Sequence, residues 1–427
     1  MRATKLIQVF EHQTLRVGES YVNMNKSEVV FTKEHLKVLQ DFKNRNETSF
    51  FKIQGKAVKF NSYVGVIQIE DIIIEILPKI DKLTEDKSSW RDVLIYILKI
   101  TEKFNIKKTD TASVRAQRVH LLDIFFEAYI KEIETLVRKG LIKKYVTIES
   151  NRSVLKGRLQ FEKHCTKNLL NKTRFYTSQK QYTPEHILHF VLVRALQIVA
   201  DKNKGTELHK SCQKWLLHFP HFKDKLITKK ELETVRITRK NAHYEKAVQL
   251  AKVIILNLGP DIADGKQEMI ALLFDMNALW EKYVIKTLKR EMPKHKNINL
   301  KVAKDSKKIW QTNILESDIV ISTGNAENER TYILDTKWKL LKNTKTPHAQ
   351  DIRQIYTYCK FWNSKVGALL YPSNETKTFT FHDYENDHDN PKIKASIGEI
   401  SVFKDKEKLL FDNELGQNIL KQLGIIQ

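Results

Sequence analysis

Residues 314–340 run ILESDIVIS (314–322), TGNAENER (323–330) and TYILDTKWKL (331–340): two β-branched, apolar runs around a polar segment. That pattern predicts two strands joined by a loop. Alternate residues of a strand share a face, so Asp335 and Lys337 point one way. Leu334, Thr336 and Trp338 point the other way, toward a core. A turn centred near Ala326 and Glu327 sets Asp318 opposite Asp335, with Cβ atoms roughly 5 Å apart. Two carboxylates and an ammonium then meet on one sheet face.

Like charges that close repel, and half-buried strands normally avoid the pairing. A divalent cation removes the conflict, because Mg²⁺ is held by one or two carboxylates together with waters and phosphate oxygens. Lys337 could then orient or help deprotonate a water and stabilise charge building on a phosphate. A solvated hairpin with ordinary Asp–Lys cross-strand pairs explains the same residues if they are taken alone. The segments around them favour the site.

Downstream, DIRQIYTYCKFW (351–362) carries Ile352, Ile355 and Cys359 at helical spacing, and Gln354 and Tyr358 share one helix face. Upstream, LLFDMNALWEKYVIKTL (272–288) reads as an amphipathic helix with Met276, Leu279, Tyr283 and Val284 inward and Glu281 at the stripe's edge. KVGALLYPS (365–373) reads as a further strand. The order Asp, loop, Asp-x-Lys, then Gln-x-x-x-Tyr on a helix resembles the PD-(D/E)xK nuclease core, particularly its RecB-like branch. That resemblance implies Asp318, Asp335 and Lys337 as catalytic, with Gln354 and Tyr358 in support. It implies Glu281 as a third metal ligand beside Asp318 and Asp335.

At 427 residues the chain predicts two or three domains. Its 74 Lys+Arg against 51 Asp+Glu give a net charge of +23, which suits a polyanionic partner, usually nucleic acid. No apolar run approaches the roughly 18 residues of a membrane span, and the start, MRATKLIQVFEHQ, has no signal-like apolar core. Cys165, Cys212 and Cys359 are far apart and form no CxxC pair, so neither a disulfide framework nor a zinc ribbon is indicated. The cytoplasm is the expected compartment. There is no GxxxxGK[ST] and no HExxH, so no nucleotide site of the P-loop kind is expected. FHDYENDHDN (381–390) mixes His and acids at spacings that fit no standard metal site and reads as a solvated loop.

In chain order, residues 1–85 read as β-rich with one helix in VFTKEHLKVLQDFKNRN, and YVGVIQIEDIIIEILPKI (63–80) supplies two apolar strands ended by Pro78. Residues 86–259 read as mainly helical. They include the basic stretch YVTIESNRSVLKGRLQFEKHCTKN, whose Arg152, Lys156, Arg158 and Lys163 are candidate DNA contacts, with a solvated loop or a β-excursion as the other reading. Phe175, Tyr176 and Tyr182 could stack bases or simply pack. Gly259-Pro260 marks a linker into 260–427. The expected fold is an α+β N-terminal part and a helical middle, followed by an α/β nuclease domain with a mixed central sheet.

Over nearly its whole length the chain is similar to the McrC family, the nuclease subunits of McrBC-type modification-dependent restriction systems. The similarity rests on YVGVIQIEDIIIEILPKI, WRDVLIYILKI, LLDIFFEAYIKEIETLVRKGLIKKY, LKGRLQF, LLFDMNALWEKYV, SDIVI, ILDTKWK and DIRQIYTY, in that order. Ser317 stands where the family usually has Pro, and His occurs within 185–189 where Asn is expected. The resemblance implies a Mg²⁺-dependent cut in double-stranded DNA. It also implies an McrB-like AAA+ GTPase hexamer whose turnover this chain stimulates, and a docking role for residues 1–85. We expect the edges of the 63–80 strand pair to supply that docking surface. A stand-alone RecB-like nuclease and a non-catalytic adaptor are the competing readings.

Overall fold

The computed structural model describes residues 5–22, 28–45, 49–69, 72–79, 87–101, 121–222, 229–258, 269–324, 328–339, 347–385, 391–405 and 410–426. By contact the chain forms two units: residues 1–104 with 273–427, and residues 105–272. These units cut across the expected chain-order boundaries at 85 and 259.

The first unit is built on a mixed six-stranded sheet. Its strands are β1 (Lys301–Trp310), β2 (Asn313–Thr323), β3 (Arg330–Thr336), β4 (Val366–Ser373), β5 (Thr380–Asp383) and β6 (Lys394–Ser401). They lie in the order β1-β2-β3-β4-β6-β5, with β3-β4 and β4-β6 parallel and the remaining pairs antiparallel. Two helices serve this sheet: α1 (Met276–Glu291) and α2 (Ala349–Phe361). Tyr332 through Thr336 are all buried, because β3 is central and covered on both faces. On one face Ile333 joins Ile355, Tyr358 and Cys359 of α2 and Trp362, its C-cap, with Leu369 and Tyr371 of β4. Gly367 lets the helix settle: a Cβ there would lie 2.8 Å from both Cys359 Sγ and Ile355 Cγ1. On the other face Trp338 packs at 5.3 Å between ring centroids against Trp280 of α1.

The expected strand at 365–373 and helix at 351–362 are both present. Upstream, LLFD proves to belong to a strand, Met269–Asp275, and α1 begins only at Met276. The reason is local: the Asp275 carboxylate accepts the backbone N–H groups of Asn277 and Ala278, an N-cap that fixes the helix start. Met276, Leu279, Tyr283 and Val284 are buried as their spacing requires.

The N-terminal residues add a four-stranded sheet in the order Lys5–Phe10, Ile72–Leu77, Tyr63–Ile69, Met269–Asp275. Ile72–Leu77 is buried at every position: five of its six residues are apolar, and the sixth, Glu75, accepts from Gln8 Nε2 at 2.8 Å and lies 3.4 Å from Arg91 Nε. This overturns the expected docking surface. Both edges of the 63–80 strand pair are already occupied, one by Lys5–Phe10 and the other by Met269–Asp275. The single expected helix is Lys33–Arg45.

The second unit is helical, as expected, but also contains a three-stranded antiparallel sheet in the order Arg158–Leu159, Phe175–Thr183, Lys144–Arg152. The basic stretch is thus a β-excursion that ends in a short helix, Phe161–Asn168, which carries Lys163. Its helices include Leu121–Lys139, Ile187–Lys202, Glu207–Leu216 and Glu245–Leu258. His189 is fully buried and satisfied, bonding through Nδ1 to the Pro184 carbonyl and through Nε2 to the Tyr244 hydroxyl. Among the described residues no helix is long and apolar enough to cross a membrane. Residues 259–268 and 325–327, where the linker and the centre of the 323–330 turn fall, lie outside the described residues, as does 386–390 of the His/acid run.

Candidate active site

The register of β2 on β3 pairs Ile319 with Leu334, and its continuation sets Asp318 opposite Asp335. The two carboxylates are held differently. Asp318 Oδ2 accepts the Thr336 backbone N–H at 2.9 Å and the Thr336 hydroxyl at 3.1 Å. Asp335 is 0 % exposed. Lys337 Nζ donates to its Oδ1 at 3.2 Å and lies 2.9 Å from its Oδ2. Oδ2 is ion-paired with that ammonium but has no aligned hydrogen-bond donor. Burial, then the Asp318 charge, push the Asp335 carboxyl up to about 7, against the opposing pull of Lys337.

Lys337 is locked from two sides. Its ammonium also donates to Gln354 Oε1 at 3.0 Å, and Gln354 Nε2 donates to the Tyr358 hydroxyl at 2.6 Å. Four of the residues anticipated from sequence therefore form one chain of contacts, Asp335–Lys337–Gln354–Tyr358. Half-burial would by itself lower the Lys337 ammonium. The Asp335 charge and hydrogen bond, then Asp318, outweigh it, and the group titrates above the ordinary lysine value. It is a fixed cation, suited to holding negative charge rather than removing a proton. Burial also holds Tyr358 as a phenol, above its ordinary value despite the Gln354 hydrogen bond.

Glu281 projects from α1 and is held by Lys304 of β1 at 3.1 Å. Burial raises its carboxyl, the Lys304 hydrogen bond opposes this, and the Asp318 charge adds to the rise, so Glu281 stands within electrostatic reach of Asp318. Among the described residues no three acid, His or Cys side chains already converge on one point. The donor set nonetheless fits a hard divalent cation. It offers opposed carboxylates, one with an oxygen that no donor is aligned on, and a third acid nearby, which is what a water-rich Mg²⁺ shell needs from protein.

Two neighbouring acids, Asp351 and Glu11, escaped the sequence reading. Asp351 is buried, accepting from the Tyr371 hydroxyl at 2.9 Å and from Lys339 Nζ. Burial would raise its carboxyl, but these two hydrogen bonds and the Lys339 charge hold it below the usual range. As an acid in the first turn of α2 it reads as an ordinary helix-start residue. Glu11 was hidden by distance in the chain: it accepts from Trp338 Nε1 at 2.6 Å.

The basic candidates lie in the second unit. Lys163 is paired with Glu149, and Arg152 Nε donates to Ser150 Oγ at 2.6 Å, while Lys156 and Arg158 are exposed. Tyr176 lies beneath Lys163 and Lys167, and Tyr145 and Tyr182 contact each other with centroids 4.8 Å apart.

A mixed sheet whose opposed aspartates and lysine face a helix bearing Gln and Tyr defines an α/β protein with a buried acid–lysine site. The sequence profile of the McrBC 5-methylcytosine restriction system component family matches residues 58–372, and the chain belongs to that family. Among solved structures it is similar to a refined half-complex from a tetradecameric assembly of Thermococcus gammatolerans McrB AAA+ hexamers with bound McrC. The TM-score is 0.68 and the identity 18%, covering 98% of this chain and 99% of that one. It is also similar to the cryo-EM structure of the Thermococcus gammatolerans McrBC complex, with a TM-score of 0.50 and 18% identity over 67% of this chain and 88% of that one. No curated protein matches.

Proposed function

We propose that the chain is the Mg²⁺-dependent, PD-(D/E)xK-type endonuclease subunit of a GTP-driven restriction complex. It acts in the cytoplasm on double-stranded DNA, and an McrB-like AAA+ GTPase hexamer is its partner. The observation that carries the reading is the opposition of Asp318 and Asp335 with Lys337 Nζ 2.9 Å from the latter. Family membership and the fold shared with McrB-bound McrC support the partner. Asp318 and Asp335 would hold the cation, with Glu281 as a supporting ligand. When bound, it would supply Lewis-acid stabilisation of the phosphate oxygens and lower the pKa of water.

The chain's own residues do the rest. Lys337, fixed by Asp335 and Gln354, places a positive charge where the phosphate gains negative charge. Tyr358 holds Gln354, and Gln354 holds Lys337, so the ammonium is fixed from α2 as well as by Asp335. Water adds to phosphorus and one P–O ester bond breaks, giving a phosphate monoester and an alcohol, with the water proton ending on the leaving oxygen. Residues 1–85 serve the partner from surfaces other than the 63–80 strand edges.

The test is cleavage of methylated duplex DNA by the full chain with and without its GTPase partner, GTP and Mg²⁺. Cutting only in the complete mixture, with raised GTP turnover, is expected. Efficient digestion by the chain alone would instead identify a stand-alone nuclease.

A further inference from the structure

Below Asp318, β2 loses its pairing with β3 and continues on β1 alone. Ser317 pairs with Asp305, Ser306 with Glu316, Lys307 with Leu315, Lys308 with Ile314 and Trp310 with Asn313. The result is a two-stranded ribbon overhanging the end of the sheet that carries the two aspartates. From Asp318 to Asn313 it extends about 17 Å at strand rise, or roughly five base pairs of B-form duplex.

The ribbon is rooted at its base and bare at its tip. Trp362 Nε1 donates to Asp305 Oδ2 at 2.7 Å, and Lys307 Nζ donates to the Phe361 carbonyl at 2.8 Å, tying β1 to the C-terminal end of α2. Beyond these anchors Trp310 is 69% exposed, Ile314 57% and Ile309 40%. The turn itself is tight, with Gln311 in the left-handed region at φ 45°. From Ser306 to Leu315 there is no acid, and Lys308 has no ion pair among the described residues. A hairpin of this kind gains nothing in folding from an exposed indole and two isoleucines.

We propose that the ribbon 305–316 is a DNA-binding element of this nuclease site, lying in a groove of the duplex beside the scissile phosphate. A two-stranded ribbon matches the width of the major groove. Lys308 contacts backbone phosphate, and the Trp310 ring packs on bases or sugars at the tip. The proposal rests on the nuclease reading, since that reading puts DNA at Asp318 and Asp335. Charge decides the occupant: a cationic, acid-free tip continuous with a phosphate-handling site on a chain of net charge +23 suits a polyanion.

Binding of a fluorescent duplex to the full-length chain, followed by anisotropy across a salt series, tests it. Trp310→Ala is expected to weaken binding by roughly five- to a hundredfold. Lys308→Gln should lessen the logarithmic salt slope by about one. Both side chains are exposed, so melting temperatures should stay at the wild-type value. Asp335→Asn runs alongside and should bind DNA but not cut it in the assembled complex. If both ribbon variants bind as wild type while Asp335→Asn is inactive, the ribbon proposal fails and the nuclease reading stands. If Asp335→Asn still cuts, the nuclease reading fails. A Trp310→Ala chain that keeps DNA affinity but loses its GTPase partner would overturn the proposal in favour of a protein contact.

Discussion

The indole Nε1 of Trp338 donates to Glu11 Oε1 at 2.6 Å, joining residues 327 positions apart in the chain. The same oxygen accepts the backbone N–H of Lys79, one residue past Pro78, at 3.1 Å. Trp338 directly follows Lys337, so a residue just past the end of the N-terminal strand Lys5–Phe10 holds the chain next to the Lys337 ammonium of the candidate site. Burial pushes the Glu11 carboxyl up to about 7; the Trp338 and Lys79 hydrogen bonds oppose this, and the Asp275 charge adds to it.

That shift has a definite sign. Between about pH 4.5 and 7 the unfolded chain releases the Glu11 proton while the folded one retains it. Stability therefore falls as pH rises through this window and levels off above it. Glu11→Gln keeps an acceptor for Trp338 and Lys79 but cannot ionise. It is expected to match wild type near pH 4.5 and to exceed it near pH 8, by an amount on the order of 3 kcal/mol at most. Urea unfolding at the two pH values measures the difference; equal slopes would show that Glu11 does not titrate in this way.

Asp335→Asn and Lys337→Ala should each abolish cleavage in the assembled complex. The first should cost no stability, because it removes a buried carboxyl whose ionised form is disfavoured. The second strips Asp335 of its ion-pair partner and should lower the melting temperature. Leu334→Asp, on the opposite face of β3, should instead destabilise by several kcal/mol by burying an unpaired charge. Wild-type cutting by either of the first two variants removes Asp335 and Lys337 from the site.

Glu281→Gln should raise the Mg²⁺ concentration needed for half-maximal cleavage while leaving the fold intact, since Glu281 shares its environment with Asp318 and its ion-pair partner among the described residues is Lys304. An unchanged Mg²⁺ titration would reduce it to a partner for Lys304.

Gly367→Val tests the packing that brings α2 to the site. Its side chain would meet Ile355 and Cys359 at the floor of the helix. Overpacking of this kind costs about 1–3 kcal/mol. Because α2 also carries Gln354, cleavage should fall with stability, and a chemical denaturation curve beside a cleavage assay would show both.

The geometry of the candidate site was legible where its relations are local in sequence. Strand alternation placed Asp335 with Lys337, the turn length placed Asp318 opposite, and helical spacing placed Gln354 with Tyr358. Each of those relations is fixed within about forty residues by the period of one element. Asp351 with Tyr371 could not be read, because their contact depends on how far α2 slides along β4, which Gly367 decides. The start of α1 was misplaced because LLFD is as apolar as the helix that follows; only the Asp275 cap separates them. The 63–80 strands were rightly seen as too apolar for water, yet nothing in their residues tells which strands cover their edges.

Pairing across the whole length makes a prediction about fragments. The expected chain-order division leaves 260–427 standing by itself, with residues 1–85 removable. The contacts of the first unit point the other way. Glu11 buries the Trp338 N–H, Tyr96 stacks on Phe411 with centroids 3.9 Å apart, and Lys286 donates to the carbonyl of Ile100 at 3.3 Å. Met276 N, at the start of α1, donates to the Ser62 carbonyl at 2.9 Å. Removing residues 1–104 orphans a buried indole N–H and uncovers the apolar sides of α1 and of Met269–Asp275, each a loss of about 1–3 kcal/mol. Several such losses together rival the whole stability of a domain. A 260–427 fragment is therefore expected to be insoluble or to lack a cooperative thermal transition. Co-expressed with a separate 1–104 chain, it should regain that transition, because the missing surface is supplied in trans. A 260–427 fragment that melts cooperatively by itself would restore the three-part division and make Glu11 an accessory to a fold complete without it.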